Sequence, residues 1–300
     1  MNVEPALQSP ITAPVLRARE TSDSAFGCPR ESLGNRFVYA VVSPRAHGLS
    51  VGVNMNPDQR CNFNCEYCEV TRATPAPDLA LDVDVMAEEL EQTLALAHSG
   101  GLGKLPLYQN TPPELLELQQ VALSGDGEPT LCPNFLDAVR AVIHVRARNR
   151  FPFFKIVLIT NATGLDLPEV QAGLKLFTSQ DEVWAKLDAG TQQYMDAVNH
   201  ADCPLEKILA NILLVARQRP VIIQSLFPLL NNQEASAEEF HQYAQRLSAL
   251  AEAGARIPLV QIYSATRPTV RSTCRHLPLK ALARIAQYVR ETTGLKAEVF

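Results

Sequence analysis

The sequence predicts an α/β fold, with a curved sheet or barrel of parallel strands and helices on its outside. Compact runs of Val, Ile, Leu and Phe recur along the chain at the length of buried strands. Amphipathic stretches with a helical period separate these runs. No internal repeat and no clear domain break interrupts the alternation. Because parallel strands are joined by right-handed helical crossovers, such a chain forms a curved sheet covered by helices.

Strands and helices are predicted from their periodicity and their end signals. Strands are predicted at residues 49–54, 120–124, 154–160, 182–187, 221–227 and 258–263. One helix is predicted over residues 83–98, and two more contain the apolar faces Phe135, Val139, Val142, Ile143 and Ile208, Ile212, Val215. A capping box at Ser236 and Glu239 begins a further helix, and the last helix runs from about Pro278 to Gly294.

Composition and charge exclude several classes of protein. The chain has 300 residues, of which 46% are hydrophobic and 20% charged, enough for a sizeable core. Its formal net charge of -5 disfavours a broad surface for polyanions. No apolar run reaches membrane-spanning length and the N-terminus lacks a signal-peptide pattern, so we expect a cytoplasmic protein without a membrane partner. Seven cysteines, three of them close together, indicate reduced thiols or a metal site rather than a disulfide framework.

The predicted organisation is one domain behind an N-terminal arm. Residues 1–36 are rich in Pro, Ser, Thr and charge and show no period, so we predict a loosely ordered arm. Residues 37–300 contain all the predicted strands and helices, and we predict that they form one domain.

A loop with three cysteines follows the first predicted strand. Cys61, Cys65 and Cys68 lie in the segment CNFNCEYC. In a parallel barrel, loops that leave the carboxyl ends of strands open on the functional face. A structural zinc site and a saturated electron-transfer cluster would each need a fourth ligand, and three unliganded structural thiols are a further interpretation. The missing fourth cysteine favours a [4Fe-4S] cluster whose fourth iron keeps an open position for a substrate or cofactor.

The spacing Cys-x3-Cys-x-aromatic-Cys, with Tyr67 as the aromatic residue, resembles the signature of the radical S-adenosylmethionine (radical SAM) superfamily. The resemblance covers roughly residues 49–263. It is strongest to short, single-cluster members described as iron-sulfur oxidoreductases, which are distant relatives of wyosine-forming tRNA enzymes and glycyl-radical activases. It implies a partial (βα)6 barrel of the TIM type, with a [4Fe-4S] cluster held by Cys61, Cys65 and Cys68 and with S-adenosyl-L-methionine (SAM) as the second cofactor.

The resemblance extends to a glycine-rich turn and to an asparagine after two further strands. The segment SGDGEPTL after the second strand is similar to the superfamily's glycine-glycine-glutamate region, which receives the SAM amino group. Gly127 and Glu128 match that region, whereas Asp126 replaces a glycine. Asn161, in TNATG after the third strand, offers an amide for SAM. These residues are candidate cofactor contacts.

The fourth strand supplies a charged pair. Lys186 and Asp188, in KLDAG, point to the same face because side chains alternate along a strand. By the resemblance we expect them to contact the SAM carboxylate or ribose, and we take them as candidate catalytic residues. We expect Tyr67 to supply an apolar face or a backbone group near the adenine.

The resemblance also implies a reaction and partners. The reduced cluster passes one electron to SAM, and the 5′-deoxyadenosyl radical that results takes hydrogen from a substrate. A one-electron donor such as a flavodoxin or ferredoxin and a small-molecule or peptide substrate are the partners we expect. A tRNA-modifying enzyme or a glycyl-radical activase is the alternative within the superfamily, although the acidic charge disfavours nucleic acid. A non-catalytic iron-sulfur or zinc-binding protein is the alternative outside it.

Several other polar residues and cysteines can be explained either by a structural role or by contact with a ligand. Four polar residues interrupt apolar strands, and each needs either a backbone partner or a ligand: Gln224, Ser225, Gln261 and Tyr263. A solvated loop is the favoured interpretation for Arg267, Arg271 and Arg275, and contact with an anionic substrate is the alternative. The four cysteines outside the loop lack the paired spacing of a second cluster, and we predict that they are reduced and mostly buried: Cys28, Cys132, Cys203 and Cys274.

Overall fold

The computed structural model describes residues 32–71, 79–265, 269 and 271–300. Most of the predicted N-terminal arm, with Cys28, and Arg267 of the predicted basic loop lie outside the described residues. The strands are β1 (Val38–Ser43), β2 (Gly48–Asn54), β3 (Leu118–Ser124), β4 (Lys155–Thr160), β5 (Glu182–Lys186), β6 (Val221–Leu226), β7 (Leu229–Leu230), β8 (Val260–Tyr263), β9 (Cys274–Arg275) and β10 (Ala297–Val299).

Eight of these strands form one sheet in the order β1-β2-β3-β4-β5-β6-β8-β10. Only β1 is antiparallel to its neighbour, and every other pair in this sheet is parallel. Strands β7 and β9 pair separately as a short antiparallel ribbon. The large sheet curls into a half-barrel, which confirms the predicted α/β partial barrel and all six of its predicted strands.

Two edge strands were absent from the prediction. Strand β1 has the sequence VYAVVS, which is rich in β-branched residues and carried a readable strand signal. Strand β10 has three residues, AEV, too few for a period to be recognised. Both strands extend the sheet beyond the six central ones because each finds an open edge to pair with.

The helices lie between the strands, and five of them match the predicted ones, whereas the two helices of seven residues were absent from the prediction. The helices are α1 (Val83–His98), α2 (Phe135–Ala147), α3 (Pro168–Leu174), α4 (Gln192–Val198), α5 (Leu205–Ala216), α6 (Ala237–Glu252) and α7 (Leu279–Thr293). The backbone N–H of Glu239 donates to the Ser236 hydroxyl at the start of α6. The Glu239 carboxylate does not complete the capping box, because it accepts instead from Thr191 Oγ1 at 2.6 Å in the loop after β5.

The two faces of the sheet differ in polarity. One face packs against the helices and forms the main core, with Val51, Val121, Ile156, Val183, Ile223 and Ile262 among its members. The alternate positions point into the half-barrel and include Ser50, Gln120, Trp184, Lys186 and Tyr263. The half-barrel interior therefore carries polar side chains. None of the helices in the described residues has the length and apolar character needed to cross a membrane.

Candidate cofactor site

A cavity of about 330 Å³ lies inside the half-barrel. Its wall includes eight of the nine candidate site residues: Cys61, Cys65, Tyr67, Cys68, Gly127, Glu128, Asn161 and Lys186. The ninth, Asp188, lies directly behind the wall and contacts Tyr67 and Lys186. Residues that the sequence scatters over four strand ends thus meet in one place, because the carboxyl ends of parallel strands share one edge of the sheet.

The cysteine loop is held by backbone pairing with the segment after α4. The N–H of Asn64 donates to the Asn199 carbonyl at 3.0 Å, and the N–H of Glu66 donates to the Val198 carbonyl at 2.8 Å. Phe63 buries its ring in the main core and anchors the loop from below. The positions of the three thiols therefore depend on a segment more than a hundred residues further along the chain.

A second contact ties the loop to the segment after β8. The Glu66 carboxylate accepts from Thr273 Oγ1 at 2.8 Å, lies 2.6 Å from His200 Nε2 and pairs with Arg271. Burial alone would raise the Glu66 pKa, but these hydrogen bonds outweigh it and hold the pKa below its usual range. Arg271 thus forms an ion pair with the cysteine loop, and the solvated-loop prediction is wrong for this residue. Arg275 is exposed.

Tyr67, Lys186, Asp188 and Asn199 form a buried polar group, here called the Asp188 cluster. Asp188 Oδ2 accepts from Asn199 Nδ2 at 2.8 Å and from the Tyr67 hydroxyl, and Oδ1 accepts from the N–H of Leu226 at 2.8 Å. Lys186 Nζ lies 3.5 Å from Asp188 Oδ1 and 4.8 Å from the centre of the Tyr67 ring. With its side chain 1% exposed, Asp188 orients its neighbours, while Lys186 presents its ammonium to the cavity.

Electrostatics in this group follow from burial and from the Asp188 charge. Burial by itself would lower the Lys186 pKa, yet Asp188, Tyr263 and Cys65 together outweigh it and the pKa is raised, so Lys186 is a cation at neutral pH. Burial raises the pKa of the Tyr67 phenol, and the charge of Asp188 raises it further. Burial also raises the pKa of the Cys65 thiol to about 11, against hydrogen bonds from Asn199 and Tyr67 that lower it.

The turn after β3 is locked onto the cysteine loop. A Cβ at Gly127 would lie 2.1 Å from the Arg60 carbonyl oxygen, so only glycine fits, and the N–H of Glu128 donates to that same oxygen at 2.9 Å. Asp126 stands where the superfamily has a glycine. Its carboxylate accepts from Asn54 Nδ2 at 2.8 Å, which accommodates the departure at the end of β2.

Glu128 joins this turn to the end of β4. Its buried carboxylate accepts from Thr130 Oγ1 at 2.6 Å, from the N–H of Asn161 at 2.7 Å and from the Thr160 hydroxyl. Burial raises the Glu128 pKa in spite of these donors. The Asn161 amide in turn donates to Asn62 Oδ1 at 2.9 Å inside the cysteine loop. Glu128 and Asn161 therefore hold three loops in register.

Two asparagines of the site escaped sequence reasoning. Asn62 carried a signal, because it lies between two of the cysteines, and it receives hydrogen bonds from Asn161 and Thr163. Asn199 carried none, since it ends α4 outside any motif. Its amide nevertheless lies 3.5 Å from Cys65 Sγ and donates to Tyr67 and Asp188.

The residues present fit an iron-sulfur cluster in their chemistry. Three thiols line one side of the cavity, and thiolates are the protein ligands of such clusters. A buried thiol with a raised pKa becomes a thiolate only beside a cation, a requirement that iron meets. In the described residues no group of three or more His, Cys, Asp or Glu side chains, Cys61, Cys65 and Cys68 included, is already arranged to hold a metal ion, so the fit lies in the type of residue.

Three cysteines outside the loop lie in the described residues, and these three are free thiols apart from the cavity wall. Cys132 packs in the main core, Cys203 is partly buried at its margin, and Cys274 packs beside Tyr67 and Val198. The prediction that they are mostly buried is confirmed for Cys132 and Cys274, whereas Cys203 is only partly buried.

Comparison with known proteins gives relatives over about half their length. The chain is 31% identical over 182 residues to a UPF0026 protein of Helicobacter pylori and 26% identical over 178 residues to a UPF0026 protein of Synechocystis. These matches cover 59% and 58% of this chain and 49% and 57% of the relatives. The chain thus spans about half the length of the curated relatives that it matches. No protein-family model matches it.

Solved structures share the fold at low sequence identity. SuiB of Streptococcus suis bound to S-adenosylmethionine has a TM-score of 0.57 at 13% identity, over 85% of this chain and 51% of that one. TYW1 with a lysine-pyruvate adduct bound has a TM-score of 0.53 at 16% identity, over 84% and 75%. A spore photoproduct lyase mutant has a TM-score of 0.51 at 10% identity, over 80% and 73%.

The curled parallel half-barrel is the fold of these solved structures, and the partial-barrel fold implied by the resemblance of the cysteine motif is confirmed. The sequence relatives of this chain include UPF0026 proteins.

Proposed function

We propose that this protein is a radical SAM enzyme with one [4Fe-4S] cluster held by Cys61, Cys65 and Cys68. When bound, the cluster and SAM together supply an electron transfer that cleaves SAM and yields a 5′-deoxyadenosyl radical able to take hydrogen from a substrate. The single observation that carries the proposal is that the three thiols share one polar cavity with Glu128, Asn161 and Lys186. The fold supports the class, and the activity is our inference from the site.

The position of each residue in the cavity suggests its role in binding SAM. Lys186 is a cation facing the cavity, so it suits the carboxylate of SAM. Asp188 holds Lys186 and Tyr67 from behind and acts as a positioning residue. The Glu128 carboxylate accepts hydrogen bonds from Thr130, Thr160 and Asn161. Its proposed role is therefore to shape the turn around the SAM amino group. The half-barrel wall keeps water from a reactive intermediate.

The geometry favours a small substrate over a macromolecular one. A cavity of about 330 Å³ is at the low end of ligand pockets. The formal net charge of -5 offers little to a tRNA. We therefore propose a small molecule as substrate and a flavodoxin or ferredoxin as the electron donor.

The test is 5′-deoxyadenosine release from SAM by anaerobically reconstituted protein with a strong one-electron reductant. Cys65→Ala is measured beside the wild type, and Cys203→Ala serves as the matched control because Cys203 lies outside the cavity wall. We expect release from the wild type and the control and none from Cys65→Ala. Equal release from Cys65→Ala, or none from a wild type that holds a reducible cluster, would count against the proposal.

A further inference from the structure

The cavity continues from the cysteines to the opposite end of the half-barrel. Ser50 and Gln120 pair in register near the amino ends of β2 and β3, and both line the cavity. At about 3.3 Å per residue, Ser50 lies roughly 13 Å along β2 from Asn54, where the connector to the cysteine loop begins. Tyr263, at the carboxyl end of β8, links this end of the cavity to the cofactor side, because its hydroxyl accepts a hydrogen bond of 3.0 Å from Lys186 Nζ.

Two buried polar atoms at this end have no hydrogen-bond partner within the described part of the chain. They are Nη1 of Arg45, which precedes β2, and Oε1 of Gln120. The Gln120 side chain is 1% exposed, and its Nε2 donates to Ser50 Oγ at 3.2 Å. In either orientation of the Gln120 amide, one atom bonds Ser50 and the other has no hydrogen-bond partner in the described residues. Buried polar atoms without partners cost free energy, which a bound ligand would recover.

Arg45 also carries a charge that no described residue balances. Its guanidinium carbon lies 4.1 Å from the centre of the Tyr263 ring, and no ion pair joins it to a carboxylate in the described residues. Lys186, the other cation of the wall, already pairs with Asp188 and donates to the Tyr263 hydroxyl at 3.0 Å. Arg45 is thus the cation that still lacks an anion.

From these contacts we propose that Arg45, Ser50, Gln120, Trp184 and Tyr263 form an anion subsite, here called the floor site, that binds the carboxylate of the substrate. The flat guanidinium, held on the Tyr263 ring, pairs with the two oxygens of a carboxylate, and Gln120 takes a hydrogen bond from a neighbouring polar group. That a carboxylate binds here stands on the geometry alone; that it belongs to the substrate rests on the proposed function.

A carboxylate fits better than a phosphate. One guanidinium supplies two parallel donors, which match a carboxylate, whereas a phosphate dianion takes further donors of the kind that a helix N-terminus or a run of backbone N–H groups provides. The short helix that carries Arg45 has three residues, and its N–H groups are not available as such a site.

Trp184 makes the proposal measurable without cleavage of SAM. It is the one tryptophan of the chain and lines the same cavity. The full-length chain, kept anaerobic, is titrated with propionate, with its neutral analogue propionamide and with inorganic phosphate while Trp184 emission is recorded. We expect a saturable change with propionate and none with propionamide. Equal responses to the two would overturn the floor site.

The variants assign the response to Arg45. We expect Arg45→Gln to weaken propionate binding by roughly tenfold or more. Arg140→Gln, on the exposed face of α2, removes the same charge far from the cavity and should bind like the wild type. Propionate binding that survives Arg45→Gln would refute the assignment. Phosphate that binds more tightly than propionate, and loses that binding in Arg45→Gln, would refute the carboxylate.

Two observations keep this test separate from the test of the proposed function. Arg45→Lys keeps the cation without the planar donor pair, so it should bind propionate with an affinity between those of wild type and Arg45→Gln; equal affinity to the wild type would refute paired recognition. The titration needs no cluster and no SAM. Loss of 5′-deoxyadenosine release with propionate binding intact would reject the radical SAM activity and leave the floor site standing.

Discussion

The side-chain amide of Asn199 donates a hydrogen bond of 2.8 Å to Asp188 and lies 3.5 Å from the sulfur of Cys65. One buried amide thereby connects a candidate cluster ligand with the acid that orients Lys186 and Tyr67. The backbone of Asn199 also accepts from the N–H of Asn64. The cysteine loop is therefore held in place by hydrogen bonds to the end of α4.

Removal of this amide should weaken the site. We expect Asn199→Ala to lower the free energy of unfolding by about 1–3 kcal/mol, because Asp188 loses a buried donor, and to speed iron loss to a chelator. Asn64→Ala is the control, since Asn64 is exposed on the same loop. Chemical unfolding and iron release measure the two effects, and equal behaviour of both variants would argue against the support role.

Iron content tests the single-cluster prediction. Cys65→Ala should lose the cluster, whereas Cys132→Ala, changed in the core away from the cavity wall, should keep about four irons per chain. Iron and sulfide analysis after anaerobic reconstitution gives the answer. A folded Cys132→Ala variant without iron would contradict the prediction.

Lys186 should matter for SAM and not for iron. We expect Lys186→Ala to weaken SAM binding by roughly tenfold or more, because the cavity loses a cation, while the iron content stays that of the wild type. Lys207→Ala, which removes an exposed partner of Asp166, is the charge-matched control. Equilibrium binding of SAM to reconstituted protein is the measurement, and unchanged affinity would remove Lys186 from the SAM site.

Gly127 has no room for a side chain. A methyl group there would meet the Arg60 carbonyl oxygen at 2.1 Å, so Gly127→Ala must push the connector to Cys61 aside and should cost about 1–3 kcal/mol of unfolding free energy. Gly103→Ala is the control, because its nearest atom lies at an ordinary 3.5 Å. Chemical denaturation compares the two. Similar denaturation midpoints for the two variants would show that the turn at Gly127 rearranges without loss of unfolding free energy.

A buried ion pair between Arg146 and Asp181 lies near the amino ends of β4 and β5. The Nη1 and Oδ1 atoms are 2.6 Å apart, and the Asp181 side chain is fully buried. We expect Asp181→Asn to cost about 3 kcal/mol at neutral pH, since it leaves Arg146 without its charge partner. Asp137→Asn, which breaks an exposed pair with Arg140, should cost less than about 1 kcal/mol.

The cost of Asp181→Asn should depend on pH. Burial would raise the Asp181 pKa, but Arg146 and the N–H groups of Ile156 and Thr178 outweigh it and lower the pKa. A lowered carboxyl pKa stabilises the fold above the unfolded value of about 3.9, and this contribution is lost as the pH falls through the folded value. The difference between wild type and variant should therefore be constant above about pH 5 and narrow below about pH 4. A difference that widened on acidification would contradict the assignment.

Local sequence determined the elements of this fold and the chemistry of its loop. The six central strands and the helix ends follow from periodicity and caps, which depend on neighbours in the chain. The site residues could be placed at one edge because parallel strands bring their carboxyl ends together, and three closely spaced cysteines specify thiolate chemistry wherever the loop lies. Gly127, Glu128, Asn161 and Lys186 were proposed from their places after these strands and from the radical SAM resemblance, and all four line the cavity.

Only the tertiary structure decided which side chains support that chemistry. Glu66 pairs with Arg271 across 205 positions of sequence, and Asn199 reaches Cys65 across 134. The Glu239 carboxylate accepts a hydrogen bond from Thr191 instead of completing its capping box. The unpartnered atoms of Arg45 and Gln120 emerged in the same way, because burial is a property of the closed half-barrel. Long-range hydrogen bonds and burial depend on how the elements pack, and no local pattern in the sequence records that packing.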